Sequence, residues 1–165
     1  KFAFSTPYCD GNITVPTYRP WLDETDHEEV FFASLHGDPR RAYPYLTGDV
    51  DETGSGAGSD ATVNYPLPAG CDDDAYLTAL TGACERVVAS GAETVVVSLG
   101  LDTFHEDPIS DLSLTAEGLE RCGRLVAEMG LPTVVLQEGG YATDALGENA
   151  RRWLSGAMGP GAPAG

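Results

Sequence analysis

Apolar and polar positions along this chain alternate between two periods. Val30-Phe-Phe-Ala-Ser-Leu35, Thr94-Val-Val-Val-Ser-Leu99 and Thr133-Val-Val-Leu136 are short, nearly continuous apolar runs, rich in β-branched residues and bounded by Gly or Pro. Runs of this kind predict fully buried strands of a parallel sheet. Between them the period lengthens. Asp72 to Ser90 opens with an acidic triplet suited to a helix N-terminus, and Thr115 to Met129 has a capping Thr at its start and Gly130-Leu-Pro132 as its stop. A third helical pattern runs from Thr143 to about Gly156. Strand and helix alternate without an antiparallel meander, which predicts an α/β domain, a parallel sheet layered between helices on both faces. Gly37 to Asp60 is Gly-, Pro- and Tyr-rich and lacks periodicity, so it reads as a long loop at the rim of the sheet. Gly54-Ser-Gly-Ala-Gly58 inside it neither follows a strand nor opens a helix, and is a turn rather than a phosphate cradle. The last residues, 157–165, are mostly small residues and proline and read as a frayed tail.

Composition narrows the partners. The 165 residues carry 26 acidic and 9 basic side chains, a formal net charge of −17. That surface repels phosphate backbones and anionic lipid heads, so neither nucleic acid nor membrane is an expected partner. No stretch approaches the roughly twenty apolar residues of a spanning helix, and the start lacks the apolar region of a secretory signal. Cys9, Cys71, Cys84 and Cys122 are scattered without a C-x-x-C pair. Reduced cysteines in a cytoplasmic protein are the simplest reading.

Ligands of parallel α/β sheets bind beyond the carboxyl ends of the strands, so the loops that follow the apolar runs carry the chemistry. They are Ser34-Leu-His36-Gly-Asp-Pro39, Gly100-Leu-Asp102-Thr-Phe-His105-Glu-Asp-Pro108 and Gln137-Glu-Gly-Gly-Tyr141. Carboxylates and imidazoles with open glycine backbone around them suit a divalent metal, with Tyr141 as donor to a developing oxyanion. Ser98-Leu-Gly100 is only half a nucleophile elbow, since Val96 stands where Gly is needed. Cys84 and Cys122 fall inside helical patterns and read as packing residues.

The strings Ser34-Leu-His-Gly-Asp-Pro-Arg-Arg-Ala-Tyr-Pro-Tyr45, Asn64-Tyr-Pro-Leu-Pro68, Ser98-Leu-Gly-Leu-Asp-Thr-Phe104 with Asp107-Pro-Ile109, and Gln137-Glu-Gly-Gly-Tyr141 resemble the acetylpolyamine amidohydrolase branch of the histone deacetylase family, in order from about Val30 to Gly156. The resemblance implies the arginase–deacetylase fold, a zinc cofactor at the base of a narrow tunnel, and hydrolysis of small cationic acetyl-amines such as acetylated polyamines. It makes Asp102 a zinc ligand and Tyr141 the residue that polarises the acetyl carbonyl. Ser34 and Leu35 fall where the family binds a structural monovalent cation, potassium being the candidate, through a hydroxyl and a main-chain carbonyl. Gly139 and Gly140 form the glycine shoulder of the tunnel. His36 supports its loop, and His105 is expected at the surface. A homodimer is compatible with the resemblance.

The family's D-x-H-H-G-N-G-T string and its earlier His-His pair have no clear counterpart. The one echo is Pro7-Tyr-Cys-Asp-Gly-Asn-Ile-Thr14, which puts Pro7 and Cys9 at the two ligand positions, and residues 1–29 otherwise match the family poorly. Cys9 is a speculative thiolate ligand. The expectation is the C-terminal half of a deacetylase domain over residues 30–156, holding one of three zinc ligands. A non-catalytic or truncated scaffold that binds no zinc is the alternative.

Overall fold

The computed structural model describes residues 2–6, 30–42, 45 and 47–159. In chain order its elements are β1 (Phe2–Thr6), β2 (Val30–Gly37), a single 3-10 turn (Gly56–Gly58), β3 (Thr62–Leu67), α1 (Asp73–Ala89), β4 (Thr94–Leu99), α2 (Ala116–Glu128), β5 (Thr133–Gln137) and α3 (Thr143–Met158). The strands form one sheet in the order β3-β2-β1-β4-β5, and every pairing is parallel.

The three strands expected from apolar runs are β2, β4 and β5. Two others were not expected. β1 is the middle strand, level with β2 through Phe2↔Val30 and with β4 through Phe2↔Thr94. Its five residues include Ser5 and Thr6 and are too few to show a period, so its place comes from the β-branched strands on either side. β3 contains Pro66, which cannot donate to a ladder, and it occupies an edge, where that omission is tolerated.

Alternate residues of each strand share a face. Phe31, Ala33 and Leu35 of β2 and Val95, Val97 and Leu99 of β4 are buried with Leu77, Leu80 and Val87 of α1 and Leu119, Cys122 and Val126 of α2 in one core. α2 packs against both α1 and α3. The first two helices cap themselves: Asp72 accepts from Ala75 N and Thr115 from Gly118 N. Asp73 then ties the two ends together, accepting from the Thr115 amide at 2.8 Å and its hydroxyl at 2.6 Å.

β5 departs from the expectation of full burial. Val134 and Leu136 are each 50% exposed. The strand stands at the end of the order, and among the described residues nothing pairs with its outer edge. Its sequence has the composition of a strand buried on both faces, but only Val135 points to the core, and Val134 and Leu136 lie on the opposite face.

Candidate active site

Because all the strands run the same way, their carboxyl ends lie along one edge. The order reverses between β1 and β4, the point at which open α/β sheets leave a crevice. Asp102 lies just past β4, and Tyr141 just past β5, whose Gln137 pairs with Leu99 of β4. The sequence-predicted Asp102 and Tyr141 are thus delivered by neighbouring loops.

Hydrogen bonds knit these two loops together. Glu138 N donates to Leu99 O at 2.9 Å, and Leu101 N to Gly139 O at 3.0 Å. Asp102 is 0% exposed. A Cβ on Gly139 would lie 2.8 Å from Oδ2 of Asp102, closer than real Cβ atoms come, so the missing side chain makes room for the carboxylate. Gly140 has φ +138°, a conformation that L side chains rarely adopt, and a Cβ there would meet Leu146 and Leu101. The adjacent Tyr141 is partly exposed.

Asp107 has no role in the sequence pattern beyond its place in a motif, and the structure draws it into the site. It is 7% exposed. Its Oδ2 accepts from Tyr141 N at 2.7 Å and from Ala142 N at 3.1 Å, while its Oδ1 accepts from Ile109 N at 3.1 Å. The available signal is an acid before proline in a loop after a strand, a pattern that favours side-chain capture of nearby amides.

Ser34 and Leu35 are buried on β2. His36 Nε2 lies 2.9 Å from Gly48 O, and its Nδ1 lies 2.8 Å from Ser34 Oγ. A carbonyl only accepts, so Nε2 carries the proton. Burial lowers the His36 pKa, which keeps the ring neutral and makes Nδ1 the acceptor of the Ser34 hydroxyl. His36 therefore ties β2 to the Gly48 loop, and Ser34 turns its hydroxyl proton toward the ring. Asn64 Nδ2 donates to Asp49 O and Glu52 O, pinning the long loop to the same side. His105 is exposed, with its ring 4.4 Å from that of Phe104.

Cys9 lies outside the described residues, as do Pro7 and His27. The strand before Cys9, β1, ends at Thr6, level with Ser34 of β2. Among the described residues no group of three or more His, Cys, Asp or Glu side chains could hold a metal ion. Asp102, a buried oxygen donor, fits one vertex of a zinc site, and the described residues do not make a complete one. Burial raises the phenol of Tyr76 well above its ordinary pKa, and the negative charge of Asp102 adds to the effect. No helix among the described residues is long and apolar enough to cross a membrane.

The Histone deacetylase domain matches residues 21–157. The chain is 47% identical to an acetylpolyamine amidohydrolase of Mycoplana ramosa over 131 residues, which is 79% of this chain and 38% of that protein. It is 46% identical to acetylpolyamine amidohydrolase 1 of Pseudomonas aeruginosa, over 78% of this chain and 37% of that one. Among solved structures, the acetylpolyamine aminohydrolase of Burkholderia pseudomallei superimposes with a TM-score of 0.85 at 31% identity, over 95% of this chain and 44% of that one. A histone deacetylase homologue from Aquifex aeolicus gives 0.83 at 28% identity, over 96% of this chain and 42% of that one. The chain therefore spans well under half the length of these relatives. Its α/β architecture is that of the arginase–deacetylase fold, and with the domain match covering most of its length the chain belongs to the histone deacetylase family.

Proposed function

We propose that this chain supplies one side of the active site of a zinc-dependent amidohydrolase that removes acetyl groups from polyamines or related small cationic acetyl-amines. The carrying observation is the junction of two loops at one sheet edge, which sets the buried carboxylate of Asp102 against Gly139, two residues before Tyr141. The names of the relatives favour acetylated polyamines, and the net charge of −17 favours a cationic amine.

In this reading Asp102 is a zinc ligand. When bound, the zinc acts as a Lewis acid and as a source of activated water. Tyr141 holds its phenolic proton toward the acetyl oxygen, and that bond strengthens as the oxygen gains charge, which lowers the barrier rather than merely binding substrate. Gly139 and Gly140 keep the loop backbone low beside the acyl group. Ser34, oriented by His36, and the Leu35 carbonyl hold a monovalent cation, potassium, that stiffens the end of β2.

The experiment measures acetate release from a mono-acetylated diamine. The enzyme is this chain in a protein that also carries the family's D-x-H and His-His strings, natural or grafted. Tyr141→Phe should lower turnover about a hundred- to a thousandfold with KM nearly unchanged, and Asp102→Ala should abolish stoichiometric zinc. A parent no faster than its Asp102→Ala variant overturns the hydrolase reading in favour of a non-catalytic scaffold.

A further inference from the structure

Tyr141 follows two glycines, one of them at φ +138°, so the segment that carries it has unusual conformational freedom to lose on folding. It also opens a helix that lacks a cap of its own. The N-cap residue of α3 is Ala142, which makes no side-chain cap, whereas α1 and α2 are capped by Asp72 and Thr115. A loose loop before an uncapped helix would leave the phenol poorly placed.

We propose that Asp107 is the positioning residue of this site, its carboxylate holding the two amides that lead into α3 and clamping the Tyr141 loop to the loop that carries Asp102. The two amides captured by Oδ2 lie 34 and 35 positions further along the chain. The clamp is itself held. Asp107 N donates to Phe104 O at 2.9 Å, and Oδ1 closes a turn over Pro108 by accepting from Ile109 N. Its burial strengthens a bond of carboxylate to amide by removing competing water. Asp107 touches neither substrate nor metal, and it acts through the backbone of Tyr141. Its meaning for catalysis rests on the function proposed above, but the clamp does not.

Two readouts test it. On the 165-residue chain, residue-resolved amide hydrogen exchange compares the parent with Asp107→Asn, which keeps the volume but offers only one acceptor oxygen. Exchange at Tyr141, Ala142 or Ile109 should quicken at least about tenfold, while Val95 and Val97 in β4 stay as protected as in the parent. If all three loop amides keep the parent's protection, the clamp is overturned. It is also overturned if they quicken only in step with β4, because that is global loosening. In the completed, active protein, Asp107→Asn should lower kcat with KM held, and should cost nothing further in a Tyr141→Phe background. An equal cost in both backgrounds overturns action through Tyr141. If Tyr141→Phe itself leaves turnover intact, the proposed function fails while the exchange result still decides the clamp.

Discussion

Replacing Gly139 by alanine puts a methyl group 2.8 Å from Oδ2, 2.9 Å from Cγ and 3.2 Å from Oδ1 of Asp102. The backbone there is ordinary, since Gly139 is not among the residues of positive φ, so the whole cost is steric. Asp102 has nowhere to retreat, being fully buried on a short side chain between Leu101 and Thr103, both buried as well. Overpacking of this kind costs about 1–3 kcal/mol, which in a chain of this size lowers Tm by about 2–12 °C. Gly147 of α3 is the control. A Cβ there meets nothing within 4 Å, so Gly147→Ala should be neutral or stabilising by up to about 1 kcal/mol. Denaturant unfolding of Gly139→Ala, Asp102→Ala and the double variant then isolates the contact. With the carboxylate gone the added methyl has room, so Gly139→Ala should cost less than about 0.5 kcal/mol in the Asp102→Ala background, a coupling of about 0.5 kcal/mol or more. Additive single-variant effects would refute the contact, and with it the account of why glycine stands at this position.

Three further outcomes follow from other parts of the chain. Burial pushes the thiol of Cys122 up to about 12 and that of Cys84 up to about 11. Both stay protonated at about pH 8, so alkylation mapped by mass spectrometry should label them far more slowly in the native chain than in denaturant, and equal rates would contradict the packing role. The face of β5 opposite the core, with Val134 and Leu136 half exposed, should make this chain self-associate as concentration rises. Leu136→Lys should reduce that in sedimentation, and a parent that stays monomeric at high concentration would count against it. Asp73 receives both the amide and the hydroxyl of Thr115, so Asp73→Ala should cost about 1–2 kcal/mol in denaturant unfolding, and a loss near zero would show the tie to be ornamental.

Helix starts are legible in the sequence because capping is local chemistry. Asp72 and Thr115 announce the starts of α1 and α2 by side-chain oxygens that take amides three residues on, and both helices begin at the following residue. The end of α3 lies about two residues beyond its expected place, since a tail of small residues offers no contrast until Gly159 leaves helical geometry at φ +72°. β1 is not legible. Five residues make too short a period, and what fixes them as the centre of the sheet is pairing with β2 and β4, whose residues are roughly thirty and ninety positions away. β5 shows the opposite limit, because Thr-Val-Val-Leu encodes preference for a strand but not which strands will flank it.

The site divides the same way. Asp102 and Tyr141 stand out because a parallel sheet puts the ends of its strands to use, which makes any polar residue just past an apolar run a candidate. Asp107 carries a weaker mark, an acid before proline later in the same loop as Asp102. Its partners are backbone amides, which every residue but proline possesses, and no side-chain pattern encodes which of them a carboxylate will find. The family resemblance makes Gly139 part of a tunnel shoulder, and in the folded chain the room left by its missing side chain is taken by Asp102. The two observations join into one argument about the loop. A glycine is needed beside Asp102 because the carboxylate must sit against the backbone, and the freedom that glycine brings must be offset if the phenol two residues on is to keep one place. Asp107 supplies that restraint from the same loop that carries Asp102, so any shift of that loop moves the carboxylate and the tyrosine together.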